Sequence, residues 1–267
     1  MLKSAKIIHQ FAIPWSVGEQ TWSKRKPFPI YDMNEVNRAI VHGVPGERAR
    51  ATGVMRAIWP LLTAIFLCGI FLGSVLPRVT PLGVSGAGLL VAAVFLLWSV
   101  RDGYKGIDSF FKGARGEESV AVLLAALPRG FHVFHDVPCG SAGGIDHVVV
   151  GPNGVFVIET KCWAGSVTFE AGAILADGES PSRPPVVQAR VSAHALSLFL
   201  KDKLESVPAC VPVVCFASNT FKPELLTCDD TVICNATALQ TLIVTCAGHL
   251  SSDEIERIAK VMEPKDS

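Results

Sequence analysis

Asp146, Glu159 and Lys161 stand inside GGIDHVVVGPNGVFVIETKCW, residues 143–163, a stretch otherwise dominated by apolar, strand-forming side chains. Burying charge costs free energy unless the charge is paired or put to use. Two carboxylates and an ammonium at the ends of two hydrophobic strands therefore point to chemistry. Glu159 and Lys161 are two residues apart and project from one face of their strand. Where Asp146 lies depends on the turn. A four-residue GPNG connection pairs Val150 with Val155 and sets Asp146 across from Glu159. A two-residue Asn-Gly turn pairs Asp146 with Lys161 instead, but puts Pro152 in the ladder, where it has no N–H to donate. A three-residue PNG loop with a bulge turns Asp146 away from Glu159.

In the first arrangement the two carboxylates are cross-strand neighbours and repel each other unless a cation lies between them. A hard divalent ion with oxygen ligands fits, Mg2+ above all, with Mn2+ as a substitute. The backbone carbonyl of Thr160 offers a further oxygen ligand. Such a site suits hydrolysis of a phosphodiester, because the ion polarises a phosphoryl oxygen and lowers the pKa of a bound water. Lys161, on the same face, orients that water or neutralises charge developing on the phosphate.

Elements to hold these groups are legible on both sides. GARGEESVAVLLAALP has apolar residues at 120, 123, 124 and 127, a helical spacing that Pro128 ends. FHVFHDV alternates as a strand, IDHVVVG and VFVIETK flank the turn, and SVTFE and AILAD are expected to continue the sheet. PPVVQARVSAHALSLFLKDKL, residues 184–204, reads as a long helix, followed by the strands VPVVCFA (211–217) and TVIC (231–234). ATALQTLIVTCA reads as a helix, and a capping-box pattern, Ser251-x-x-Glu254, opens the last one. The order predicts an α/β (α+β) domain with a mixed central sheet flanked by helices.

The segment 113–165 resembles the nuclease-related domain (NERD), a branch of the restriction-endonuclease-like superfamily with its PD-(D/E)XK motif. The matching pieces are GARGEE, GGIDHVVVGPNGVFVIETK and the following WAG, with a looser likeness in PPVVQARVSAHAL, so the resemblance covers about residues 113–205. It implies Asp146 and Glu159 as metal ligands and Lys161 as the catalytic lysine. It also implies that Glu117 faces the site from the first helix and that Gln188 contributes from the later one.

His147 should point away from Asp146, and His132, His135 and His194 show no metal-ligand spacing. The eight cysteines form no C-x-x-C pair, which argues against a zinc site and for a reducing compartment. Residues 113–267 carry eleven Lys/Arg against eighteen Asp/Glu, a net of −7, which is unfavourable for a general backbone-binding surface. Lys161, together with Arg183, Arg190, Lys201 and Lys203 on or beside the Gln188 helix, is expected to line a local groove.

Residues 57–76 and 79–100 are two apolar runs interrupted only by Arg78 in the connection, each long enough to cross a bilayer. Arg48, Arg50 and Arg56 precede them and Arg101, Lys105 and Lys112 follow, so a transmembrane hairpin with both termini cytoplasmic is expected. The predicted organisation is a basic N-terminal cytoplasmic segment (1–56, net +5), two spans, a linker (101–112) and the nuclease-related domain (113–267). The expected function is a membrane-anchored, metal-dependent nuclease that hydrolyses DNA. The alternative is a non-enzymatic membrane adaptor that binds nucleic acid or a protein partner, such as a DNA-transfer component. A phosphodiesterase acting on lipids or nucleotides would share the metal chemistry.

Overall fold

A computed structural model describes residues 38–70, 82–139, 144–206, 208–218 and 221–263. The WSKRKPFPIYD stretch and the turn between the two apolar runs lie outside them. The core is a seven-stranded mixed sheet made of β1 (Ile40–His42), β2 (His132–Pro138), β3 (Gly144–Gly151), β4 (Gly154–Lys161), β7 (Cys210–Phe216), β9 (Thr231–Asn235) and β8 (Leu225–Cys228), in that spatial order. β2, β3 and β4 form an antiparallel meander, β7 and β9 run parallel to β4, and the edge strands are β1, parallel to β2, and β8, antiparallel to β9.

Helices cover both faces. α2 (Leu82–Ala125) and α4 (Ala236–Thr245) bury Val120, Leu124, Leu239 and Ile243 against Val149, Phe156 and Ile158. α3 (Pro185–Lys203) and α5 (Ser252–Met262) bury Leu196, Leu200, Ile255 and Ile258 against Val148, Val150, Val155 and Val157. Alternation along β3 and β4 thus feeds two cores, one on each side of the sheet. At the start of α5 the Ser251 side chain and Glu254 form the expected capping box.

The β3–β4 register is the one that pairs Val150 with Val155. Gly151 also pairs with Gly154, leaving Pro152 and Asn153 as the turn. Proline is thereby kept out of the ladder. The Asn153 amide donates to the carbonyls of Val244 and Cys246 at 3.2 and 2.7 Å, satisfying acceptors left open at the end of α4.

Several features depart from the sequence reading, among them the strand β8 and the start of the first apolar helix at Glu47. Ile40–His42, set apart within residues 1–56, joins the sheet as β1, with Ala39 and Ile40 amides donating to the carbonyls of Leu127 and Phe131 at 2.9 Å. Residues 101–112, expected as a linker, are helical, so the second apolar run and the first helix of the domain form one 44-residue helix. β5 (Val167–Glu170) and β6 (Ala173–Ala176) do not extend the main sheet but form their own two-stranded sheet. The reason is that β7 already occupies the free edge of β4.

Helix α1 (Glu47–Ile70) packs along α2. Among the described residues it is the one helix long and apolar enough, by length and composition, to cross a membrane.

α2 reaches β4 because residue 116 is glycine. A Cβ there would lie 2.5 Å from the Cβ of Cys162, directly after β4. That neighbour is fixed to the backbone and cannot swing aside. Gly116→Ala is expected to destabilise the protein by about 1–3 kcal/mol, the scale of overpacking, as read by thermal melting.

Candidate active site

Asp146 shares its face of β3 with Val148 and Val150, and Glu159 and Lys161 share theirs on β4 with Val155 and Val157. All three charges therefore stand on the α3 side of the sheet. The β3–β4 ladder ends at His147 opposite Ile158. Just beyond it the Thr160 backbone N–H donates to Asp146 Oδ2 at 2.7 Å, so the carboxylate replaces the next ladder partner. Lys161 Nζ donates to Glu159 Oε1 at 2.6 Å, with both side chains largely buried. Glu117, brought in by α2, interacts electrostatically with Asp146, Glu159 and Lys161.

This cluster is over-supplied with negative charge. Burial pushes Asp146 well above the usual carboxylate range, and the neighbouring charges of Glu159 and Glu117 push it further. Glu117 is raised to about 7 by burial first, then by Asp136 and Glu159; the Gly46 N–H and Lys161 oppose the shift. Carboxylates crowded in this way favour a cation between them. Gln188 sits in the first turn of α3, and its Oε1 is buried with no hydrogen-bond partner.

Among the described residues no group of three or more His, Cys, Asp or Glu side chains is disposed to hold a metal ion. Mg2+ does not require one: one or two carboxylates, with waters and phosphate oxygens, are its usual ligands. The excess negative charge fits such an ion, and Asp146, Glu159 and the Thr160 carbonyl are the groups that would hold it.

Other sequence expectations divide. Arg190, expected to face a groove, is held instead by Asp229 and Asp230, with Nη1 3.2 Å and Nε 2.9 Å from their oxygens, and Lys203 pairs with Asp202 at 2.7 Å. With Lys161 on Glu159, three of the five expected groove cations are thus paired to acids. His147 is fully buried on the face opposite Asp146, its Nδ1 2.7 Å from that of His135. Burial lowers His135 to about 4 and His147 to about 3, the latter also through His135. With folded pKa values below the unfolded one, both rings oppose folding as pH falls below about 6.5. NMR titration is expected to find both rings neutral at pH 5; protonation of either ring above pH 6 would contradict the buried pair.

Asp136 was not singled out from the sequence. It interrupts the β2–β3 ladder between the His135–His147 and Val137–Ile145 pairs, with a positive φ of 53°, and its charge raises Glu117. A lone acid in the apolar FHVFHDVP strand was the available signal.

A nuclease-related domain is found at residues 112–217. The match spans Glu117, Asp146, Glu159, Lys161 and Gln188, and the mixed α/β architecture with its seven-stranded sheet fits a restriction-endonuclease-like domain. An uncharacterized protein of Bacillus anthracis is 40% identical over 60 residues, which is 21% of this chain and 28% of that protein. The chain thus matches less than a third of that relative's length. No solved structure matches it. The nuclease-related domain match leaves out β1, α1, β8, β9 and both C-terminal helices, although β1 belongs to the same sheet.

Proposed function

We propose that this protein is a metal-dependent nuclease that hydrolyses DNA phosphodiester bonds beside a membrane. The carrying observation is the crowding of Asp146, Glu159 and Glu117 around a single lysine within a nuclease-related domain. Asp146 and Glu159, with the Thr160 carbonyl, would hold Mg2+, which supplies Lewis-acid activation of the scissile phosphate and its attacking water. Lys161 turns from Glu159 toward the phosphate, orients that water and offsets charge as it develops. Glu117 completes the acidic face from α2. Gln188, whose Oε1 has no hydrogen-bond partner, is assigned to positioning the water or the backbone of the substrate.

The membrane part of the proposal is a hairpin of α1 and the apolar first half of α2. Trp59, Ile65, Phe66, Val91, Leu97 and Trp98 are all exposed on these helices. β1 lies before the hairpin and β2 after it, yet they are neighbours in one sheet. An even number of crossings is required by that pairing. If α1 crosses, the chain must return before β2, and residues 82–100 are the apolar segment available. The positive-inside bias then puts both ends in the cytoplasm.

The adaptor reading draws on the net charge of −7 over residues 113–267 and on the pairing of Arg190 with Asp229 and Asp230. Cleavage separates the two. Full-length protein in detergent or nanodiscs is expected to cut single- or double-stranded DNA with Mg2+ or Mn2+ and not with EDTA. A folded protein that binds DNA but never cuts it, with any of these metals, would favour the adaptor. Cleavage of RNA alone would correct the substrate.

A further inference from the structure

Glu117 is also held from a part of the chain outside the matched residues 112–217. The backbone N–H of Gly46, which lies between β1 and α1, acts on its carboxylate and favours the charged form. Gly46 has a φ of 71°, and a Cβ there would come within 3.0 Å of the Cβ of Ala114, one turn before Glu117 on α2. Only glycine combines that backbone conformation with that close approach at little cost. Two residues on, Arg48 binds Asp136 twice: its backbone N–H donates to Oδ2 at 2.7 Å, and its Nε lies 3.2 Å from Oδ1. The same guanidinium covers the start of β3, where a Cβ on Gly144 would meet Arg48 Nη1 at 2.9 Å, two residues before Asp146. Arg48 therefore neutralises the acid that faces Glu117. It does so from the first turn of the apolar helix.

We propose that Arg48 and Asp136 are positioning residues of the active centre, which, with the Gly46 N–H, fix Glu117 against Asp146 and Glu159 and tie the first turn of α1 to the site. The proposal rests on the metal-dependent nuclease reading. Without the Arg48 guanidinium, Asp136 keeps only the backbone N–H of residue 48 and is a partly buried acid with no counter-charge that pushes on Glu117. Groups that orient a ligand set typically matter by about 10–100-fold.

The test uses full-length protein and steady-state cleavage kinetics. Arg48→Ala is expected to lower turnover about 10–100-fold with KM for DNA changed less than about twofold. Arg48→Lys and the double variant Arg48→Ala/Asp136→Asn should each recover part of that loss, the second because it removes the orphaned charge. Arg50→Ala, which breaks the neighbouring ion pair with Glu118 on the same two helices, is expected to stay near wild type. Equal effects of Arg48→Ala and Arg50→Ala, or no recovery in the double variant, would overturn the proposal. Hydrogen exchange provides a readout independent of cleavage. Glu117→Ala should speed exchange at the Gly46 amide about tenfold, and unchanged exchange would also overturn the proposal. Failure of the nuclease reading looks different: wild type would cut nothing, while Gly46 exchange still followed Glu117.

Discussion

Lys161→Ala is expected to lower DNA cleavage by about 10²–10³-fold, the usual consequence of removing one preorganised group that meets developing charge. The ammonium is within 2.6 Å of Glu159 and acts electrostatically on Asp146 and Glu117 as well, so one lysine serves three acids. Two effects should separate on measurement. Turnover is expected to fall even at saturating metal, because the metal cannot replace the lysine proposed to face the phosphate. Melting temperature falls chiefly in EDTA, because Glu159 then loses its partner, and recovers when a divalent ion takes over that charge. Arginine should rescue poorly: its planar guanidinium is bulkier than an ammonium and differently hydrated. Single-turnover kinetics and melting curves, with and without Mg2+, check both effects. Wild-type turnover in Lys161→Ala would remove the lysine from the mechanism.

Asp146→Asn is expected to stabilise the metal-free protein while abolishing cleavage. An asparagine Oδ1 still accepts the Thr160 N–H, but it brings no charge into the acidic cluster. Relief of a crowded buried charge is worth on the order of 1–3 kcal/mol near neutral pH. The sign follows from the raised pKa of Asp146. In that range the folded state binds more protons than the unfolded one, so the stability contributed by this group falls as pH rises above the ordinary aspartate value. The advantage of the variant should therefore be largest at neutral pH and shrink toward pH 4. Added Mg2+ should reverse the ranking, stabilising wild type and leaving Asp146→Asn unchanged. Denaturant melts at two pH values, with and without Mg2+, test this. A metal-free wild type more stable than the variant at pH 7 would show that the acids are not strained against one another.

Local chemistry made much of this architecture legible. Pro152 argues for the β3–β4 register because it cannot serve in a ladder, and the structure pairs the strands that way. Ser251 and Glu254 announce α5, and Pro184–Pro185 announce the start of α3. The missed features depend on partners distant in sequence. Ile40–His42 is only three residues long and becomes a strand because the edge of β2 is there to receive it. Residues 101–112 contain Asp102, Gly103, Gly106 and Asp108, weak helix formers that read as a linker, but the helices on either side carry the segment along. Asp136 and Arg48 were invisible as a pair because 88 residues separate them. For the same reason residues 113–267 would be a poor experimental fragment. It would lack β1, Gly46 and Arg48.

If the acidic cluster receives a divalent cation, calorimetric titration of Mg2+ into the full-length protein will show it. Wild type is expected to bind saturably and to release protons on binding, because Asp146 and Glu117 have raised pKa values and must ionise to meet the ion. Glu159→Gln and Asp146→Asn should each lose that binding. Wild type without saturable binding, or binding that survives both substitutions, would mean that the cluster is not a cation site.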